Sequence, residues 1–160
     1  MTMMNAKKIA FLDRDGVINK KAPDHQYITK TSDFKFNRGI FSLLRYLKKE
    51  GYEFIVITNQ RGIAKKILSE KTLAAIHGFM VNELKKRNIK ILDIFYCPHD
   101  LDACDCRKPK PGLFNQACSK YPIDIKKSII LSDSQEDVIM GRKFGLGKSS
   151  LVETDKPVII

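Results

Sequence analysis

Four short apolar runs narrow the folds open to this chain more than any other feature: KIAFLD (8–13), EFIVIT (53–58), ILDIFYC (91–97) and SIILSD (128–133). Each has the length and density of a strand buried on both faces. SLVE (150–153) is a weaker fifth. Between the runs the apolar spacing changes to that of helices. Residues 39–50 place Ile40, Leu43, Leu44 and Leu47 on one stripe, and Gly51 ends the helix as its carboxyl-terminal cap. Residues 69–87 open on a Ser-Glu-Lys-Thr turn and align Leu73, Ile76, Met80 and Leu84. Residues 112–120 and 135–144 supply two shorter helices. Strands alternating with helices predict an α/β fold, a parallel sheet flanked by helices, and 1–160 suits a single domain. In such sheets the ligand site lies beyond the carboxyl ends of the strands.

The side chains at those ends carry chemistry. The first run closes FLDRDGVIN, with Asp13 and Asp15 two residues apart. On extended backbone both would point to one side, and Gly16 lets the chain turn away. Two converging carboxylates can hold a hard cation such as Mg²⁺, or divide the work of nucleophile and acid/base. The second run ends in Thr58, Asn59 and Gln60, whose hydroxyl and amides can donate to a phosphoryl oxygen. The fourth ends in Asp133, a third carboxylate for a metal, with Asp137 one helical turn on. Asp137 could equally complement a helix amino terminus.

The third run leads into CPHDLDACDCRKPKPG. Cys97, His99, Cys104 and Cys106 offer three thiolates and an imidazole, a complete four-ligand shell of the structural zinc type with no position left for water. Cys118, alone in a helix, reads as a core residue. The start of the chain, MTMMNAKKIAFLD, lacks the apolar stretch of about 7–15 residues that a secretory leader needs. It also lacks the apolar segment of about 20 residues that would span a membrane. The expected setting is cytoplasmic, with no membrane partner, and thiols there are free, catalytic or metal-bound rather than paired.

Net charge is +11, most of it lysine scattered in pairs such as Lys7-Lys8 and Lys126-Lys127. No aromatic residues interleave with a basic tract as base-stacking platforms would require, so no nucleic-acid partner is expected. Such a surface draws phosphorylated metabolites toward a cleft. GRKFGLGKSS (141–150) imitates a phosphate-binding loop but carries Arg142 where that pattern needs glycine. Gly145 and Gly147 read instead as a helix-to-strand turn.

D-x-D-G-V-I-N, Thr-Asn-Gln-x-Gly-Ile, Cys-Arg-Lys-Pro-x-Pro-Gly and Ser-Asp-Ser-x-x-Asp follow one another in that order. Together, over residues 8–155, they resemble the haloacid dehalogenase superfamily of phosphatases, in its histidinol-phosphatase and heptose-bisphosphate-phosphatase branch. The resemblance implies a Rossmann-like fold without a large cap and a Mg²⁺-dependent phosphomonoesterase working through an aspartyl-phosphate. Asp13 would be the nucleophile and Asp15 the acid that protonates the leaving oxygen and then activates water. Thr58 would steady the transferring group, and Lys108 would neutralise developing charge. Mg²⁺ would be held by Asp13, the backbone carbonyl of Asp15, and Asp133.

His25 and Gln26 lie in a stretch similar to the family's substrate-facing loop, and Asn59, Gln60, Arg107 and Lys108 are further candidate substrate contacts. The branch carries zinc in its loop, whose role here would be to fix Arg107 and Lys108 at the cleft, with Pro109 and Pro111 stiffening the exit. His77, inside the long helix, reads as structural. Arg61 and Ser134 depart from the heptose pattern, where a small residue and a lysine are common, and the short zinc loop leans toward the histidinol-phosphate relatives. The substrate the resemblance implies is the sugar phosphate heptose 1,7-bisphosphate, losing its 7-phosphate. The alternatives are histidinol phosphate, a polynucleotide 3′-phosphate, and a phosphate-binding module without turnover. A monomer or small homo-oligomer is expected.

Overall fold

The computed structural model describes residues 5–153. Residues 1–4, the start of the stretch read for a leader, lie outside them. The apolar runs form β1 (Ile9–Leu12), β2 (Glu53–Asn59), β3 (Ile91–Cys97) and β4 (Ile129–Ser132), joined at the edge by β5 (Lys148–Leu151). All pair in parallel in the order β3-β2-β1-β4-β5.

Alternation along the strands sorts the apolar side chains onto two faces. Ala10, Leu12, Phe54, Val56, Ile129 and Leu131 pack on α1 (Ile40–Lys49) and α2 (Glu70–Lys85). Ile9, Phe11, Ile55, Ile57 and Ile130 pack on α3 (Gly112–Lys120) and α4 (Gln135–Phe144). The expected helical stripes are the buried ones: Ile40, Leu43, Leu44 and Leu47 in α1, and Leu73, Ile76, Met80 and Leu84 in α2. Gly51 ends the first helix at φ 90°, its N–H donating to the Lys48 carbonyl at 3.0 Å. Ser69 caps α2, and Gly145 closes α4 at φ 96° ahead of β5. The glycines of the false phosphate loop are therefore a helix-to-strand turn.

Most boundaries shift by a residue or two from the sequence reading, and two of the shifts have a clear cause. β5 begins two residues earlier than 150, because pairing to β4 runs from Ile129↔Lys148 to Ser132↔Leu151 whatever the polarity of the side chains. β1 stops at Leu12 rather than 13. Asp13 keeps one ladder hydrogen bond, N–H to the Leu131 carbonyl at 3.0 Å, but the chain then turns: the Arg14 carbonyl accepts from the N–H groups of Val17, Ile18 and Asn19. The backbone through Asp15 is thus a turn and not the extended segment expected.

No large cap interrupts the order of elements. The segment between β1 and α1 instead returns to the core through Val17, Ile18, Ile28 and Phe34. Among the described residues no helix is long and apolar enough to cross a membrane. With β1 central and β2 and β4 on either side, the crevice beyond their carboxyl ends receives Asp13, Thr58 and Asp133 together.

Candidate active site

Asp13 stands at the tip of the central strand, 8% exposed. The Lys108 ammonium lies 3.1 Å from its Oδ1 and 2.7 Å from Oδ2 of Asp137. Lys108 is itself buried, so its charge is held by these two carboxylates; burial would lower its pKa, and they outweigh it and raise it. Ser132 adds a hydroxyl, donating to Asp137 at 2.9 Å and to Asp13 at 3.4 Å. Asp137 is therefore more than a complement to the α4 amino terminus: it seats the lysine.

Asn59 performs a task different from the phosphoryl donor expected of it. Its Nδ2 donates to the Lys108 carbonyl at 3.1 Å, and its Oδ1 accepts from the Lys108 N–H at 2.9 Å. The amide thus fixes that lysine's backbone from both sides. Gln60 differs likewise. Its Nε2 donates to Asp15 Oδ2 and to Thr58 Oγ1, each at 3.0 Å, so it aims two other candidate groups.

Asp15 is gripped from several directions. Its Oδ1 accepts from Arg14 Nη2 at 2.8 Å, Arg14 Nε at 3.3 Å and Asn19 Nδ2 at 2.9 Å. Burial pushes this carboxyl up, but the Arg14 guanidinium and the hydrogen bonds from Asn19, Arg14 and Gln60 outweigh it and hold the group below the usual carboxylate range. Asp13 goes the other way, pushed up to about 7. Burial is the first cause, opposed by Lys108 and reinforced by Asp137, Asp133 and Asp15. Without a metal this split places the proton on Asp13 rather than on Asp15, and a dication beside Asp13 is what would reverse it.

The sequence reading passed over Arg14, Asn19, Lys21 and Ser132. Arg14, 1% exposed, turns back from between the two aspartates. Its Nη1 lies 3.2 Å from His77 Nε2. The His77 imidazole is buried, and its pKa is pushed down to about 4, by burial first and by Arg14 next. Lys21 pairs with Asp133 Oδ2 at 2.5 Å. Asp15, Lys21, His25, Gln26, Tyr27, Asn59 and Gln60 line one pocket of about 230 Å³. The structure thus brings His25 and Gln26, both exposed, to the same opening as Asp15. Arg107 is partly buried and keeps one guanidinium nitrogen, Nη1, without a hydrogen-bond partner. Arg61 pairs with Asp100 at 2.5 Å, linking the loop after β2 to the cysteine loop, and Ser134 caps α4.

Both metals implied by the resemblance can be tested against these residues. Four carboxylates (Asp13, Asp15, Asp133, Asp137) surround three cations, and their mutual repulsion adds to burial in raising the proton affinity of Asp13. A hard dication would relieve it. Gly16, at φ 92°, leaves space that any Cβ would lose to overlap with the Asp133 carboxylate. The donor set fits Mg²⁺. In the cysteine loop the ligand atoms of Cys97, His99, Cys104 and Cys106 all lie within 4.8 Å of one another. Cys97 Sγ is 3.4 Å from both Cys104 Sγ and His99 Nδ1, and Cys106 Sγ is 3.3 Å from that same Nδ1. Edges of a zinc tetrahedron with thiolate ligands are about 3.7 Å, so the set could hold zinc with little adjustment. All four cysteines are unpaired. Cys118 is apart from the cluster and half-buried rather than in the core.

The family model described as polynucleotide kinase 3 phosphatase matches residues 8–142. A D-glycero-alpha-D-manno-heptose-1,7-bisphosphate 7-phosphatase of Photorhabdus laumondii is 43% identical over 96% of this chain and 86% of its own. One of the same description from Campylobacter jejuni is 40% identical over 93% of this chain and 84% of its own. The beta-anomer phosphatase of Vibrio cholerae is 37% identical, covering 96% of this chain and 85% of its own. Among solved structures, the D,D-heptose 1,7-bisphosphate phosphatase of B. bronchiseptica, complexed with magnesium and phosphate, superposes with a TM-score of 0.84. It is 29% identical and the match covers 94% of this chain and 83% of that one. The carboxylate pair, the seated lysine and the four-ligand loop stand in a chain matched along nearly its whole length, and the chain belongs to the heptose-bisphosphate phosphatase branch of the haloacid dehalogenase superfamily.

Proposed function

We propose that this chain hydrolyses the 7-phosphate of D-glycero-D-manno-heptose 1,7-bisphosphate, with preference for the alpha anomer, through an aspartyl-phosphate on Asp13. The observation that supports the chemistry is the convergence of two carboxyls at one strand tip. Asp13 and Asp15 lie near enough for the charge of Asp15 to act on Asp13, with Lys108 within 3.1 Å of the first and Gln60 within 3.0 Å of the second. The relatives at 43% and 40% identity carry the alpha-anomer description, and those at 37–38% the beta, which supports the choice of anomer.

Asp13 attacks phosphorus. The ester P–O bond breaks, and the departing sugar oxygen takes a proton from Asp15. Asp15 then draws a proton from water as that water attacks the aspartyl-phosphate, releasing inorganic phosphate and restoring Asp13. Lys108, locked by Asn59 and Asp137, meets the charge that develops on the phosphoryl oxygens. The Thr58 hydroxyl, oriented by Gln60, faces the same group. Arg14 keeps Asp15 ionised before substrate arrives; a phosphate dianion beside it opposes Arg14 and raises its proton affinity, so the proton is acquired with the substrate. Magnesium on Asp13, Asp133 and the Asp15 carbonyl would supply positive charge against the repulsion between dianion and carboxylate. Lys21 would then give up Asp133 and turn, with His25, Gln26 and Arg107, toward the rest of the substrate.

Phosphate release with Mg²⁺ tests the assignment, with the two anomers, histidinol phosphate and a 3′-phosphorylated oligonucleotide compared side by side. The alpha anomer is expected to exceed the beta by about tenfold in kcat/KM and the other two by more. The oligonucleotide is included because the matching family model bears a polynucleotide description and the chain carries +11. Its selection over both sugars would replace this reading. Gly16→Ala examines the metal side. Positive φ costs a non-glycine residue about 1–2 kcal/mol, and the added Cβ displaces Asp133. A lower Tm and a rise of about tenfold in the Mg²⁺ needed for half-maximal rate are expected; an unchanged Mg²⁺ dependence would remove Asp133 from the metal shell.

A further inference from the structure

Arg14 is the largest fully buried side chain among the described residues, and its guanidinium can only donate hydrogen bonds. Two of its nitrogens, Nε and Nη2, are committed to Asp15 Oδ1. The third, Nη1, reaches His77 Nε2 at 3.2 Å, across 63 residues of sequence. Because arginine cannot accept, Nε2 must be the imidazole nitrogen with the lone pair, and the ring is neutral. His77 is set in the middle of α2, buried, its ring edge-on to Tyr96 of β3 with centroids 6.0 Å apart. Tyr96 in turn donates to Glu70 of α2 at 2.5 Å. The acceptor is thus fixed by a helix and a strand outside the crevice. A neutral acceptor also has a particular merit. A carboxylate in its place would share the positive charge of Arg14, whereas imidazole leaves that charge to Asp15.

We infer that His77 is a positioning residue for the proton-transfer step: by holding Arg14 through Nη1, it sets the plane of the guanidinium and thereby the aim of the Asp15 carboxyl. The inference rests on Asp15 being the proton donor. The affected step is the one in which the Asp13–phosphorus bond forms, the ester P–O bond breaks and the Asp15 proton passes to the departing alkoxide. Without the acceptor, Nη1 becomes a buried donor with no partner. The guanidinium then rotates to satisfy it and carries Asp15 away from the leaving oxygen.

The test compares an ester that needs the proton with one that does not. His77→Leu fills similar volume without an acceptor, and His77→Gln restores one at similar reach. kcat/KM is measured for heptose 1,7-bisphosphate, an alkyl phosphate, and for p-nitrophenyl phosphate, whose phenolate departs unprotonated. This parameter covers steps only through the first bond cleavage. His77→Leu is expected to lose about tenfold or more on the alkyl ester and about twofold or less on the aryl ester. His77→Gln should recover most of the loss, and inhibition by inorganic phosphate should stay unchanged.

Equal losses on both esters, or no difference between Leu and Gln, would mean that His77 only packs, and the inference falls. Asp15→Asn separates the two levels. It should show the same selectivity in larger measure; if it loses both esters equally, the donor assignment is wrong and the inference falls with it. Should His77→Leu fail to fold, His77→Met repeats the comparison. Nitrogen NMR of the unmodified protein then decides independently, since a protonated Nε2 on His77 at neutral pH would overturn the arrangement.

Discussion

Asp13→Asn is expected to lower kcat by at least about 10³-fold while binding of inorganic phosphate persists. An amide oxygen at this position is nearly isosteric with the carboxylate but a poor nucleophile, and no other described carboxylate takes its place at the tip of the central strand. The substitution also has a signed effect on stability. Asp13 is driven up from 3.8 to about 7 by burial and by its neighbouring carboxylates against Lys108. Between those values the folded chain binds a proton that the unfolded chain releases, so this group costs stability as pH rises from about 4 to about 7. The asparagine variant carries no such cost. In buffer without magnesium its Tm should therefore equal or exceed that of the parent at pH 7, and the gap should close toward pH 4. A phosphatase without turnover but with an unimpaired fold is the expected result. Retention of more than about a tenth of kcat would show that the phosphoryl group does not pass through residue 13. A fall in Tm at pH 7 would show that Lys108 depends on Asp13 more than on Asp137.

The strands and helices were legible because burial on two faces leaves its mark in composition: continuous apolar runs for β1 to β4, and a stripe at helical spacing for α1 and α2. β5 was misplaced by two residues because Lys148, Ser149 and Ser150 carry no such mark, and an edge strand is fixed by backbone pairing alone. The gathering of Cys97, His99, Cys104 and Cys106 and of the carboxylates at the strand tips could be read because each lies in a run of sequence whose chemistry is local. What stayed illegible is the second use of residues already singled out. Asn59 and Gln60 have the right groups for a phosphoryl oxygen, but Asn59 spends its amide on a lysine 49 positions away and Gln60 on Asp15, 45 positions away. Arg14, between two acids, carries no sign in the sequence that it is buried. That it is the largest fully buried side chain among the described residues follows from the turn at Arg14, which no spacing in FLDRDG announces, and from an acceptor on a helix whose register with β1 only the folded sheet determines.

Removing Cys106, one of the four side chains that could hold zinc, is the change with the widest expected reach, because two structures converge on the residue that follows it by two. From one side Lys108 is clamped by the Asn59 amide at 2.9 and 3.1 Å. From the other it is the continuation of a loop whose four ligand atoms crowd within 4.8 Å. The middle of the loop has little to hold it: Asp100, Leu101, Asp102 and Ala103 are exposed, and its links outward include a surface ion pair from Asp100 to Arg61, a bond from Lys110 Nζ to the Cys104 carbonyl and the packing of Cys104 and Cys106 on the core beside α3. α3 leans on the same point, for Gly112 approaches Cys106 so closely that no side chain would fit there.

Cys106→Ser should therefore abolish stoichiometric zinc and lower Tm by at least about 10 °C, since a structural zinc contributes several kcal/mol to folding. It should also reduce kcat by about 10–100-fold through loss of the Lys108 approach. Zinc content, melting and kcat measured on one preparation make the assignment decidable. Loss of zinc with kcat intact would place the whole burden of aiming Lys108 on Asn59, and Asn59→Ala would then be the variant that loses rate. Zinc retained in Cys106→Ser would mean that the remaining thiolates and His99 suffice, and that Cys106 serves the turn into α3 rather than the metal.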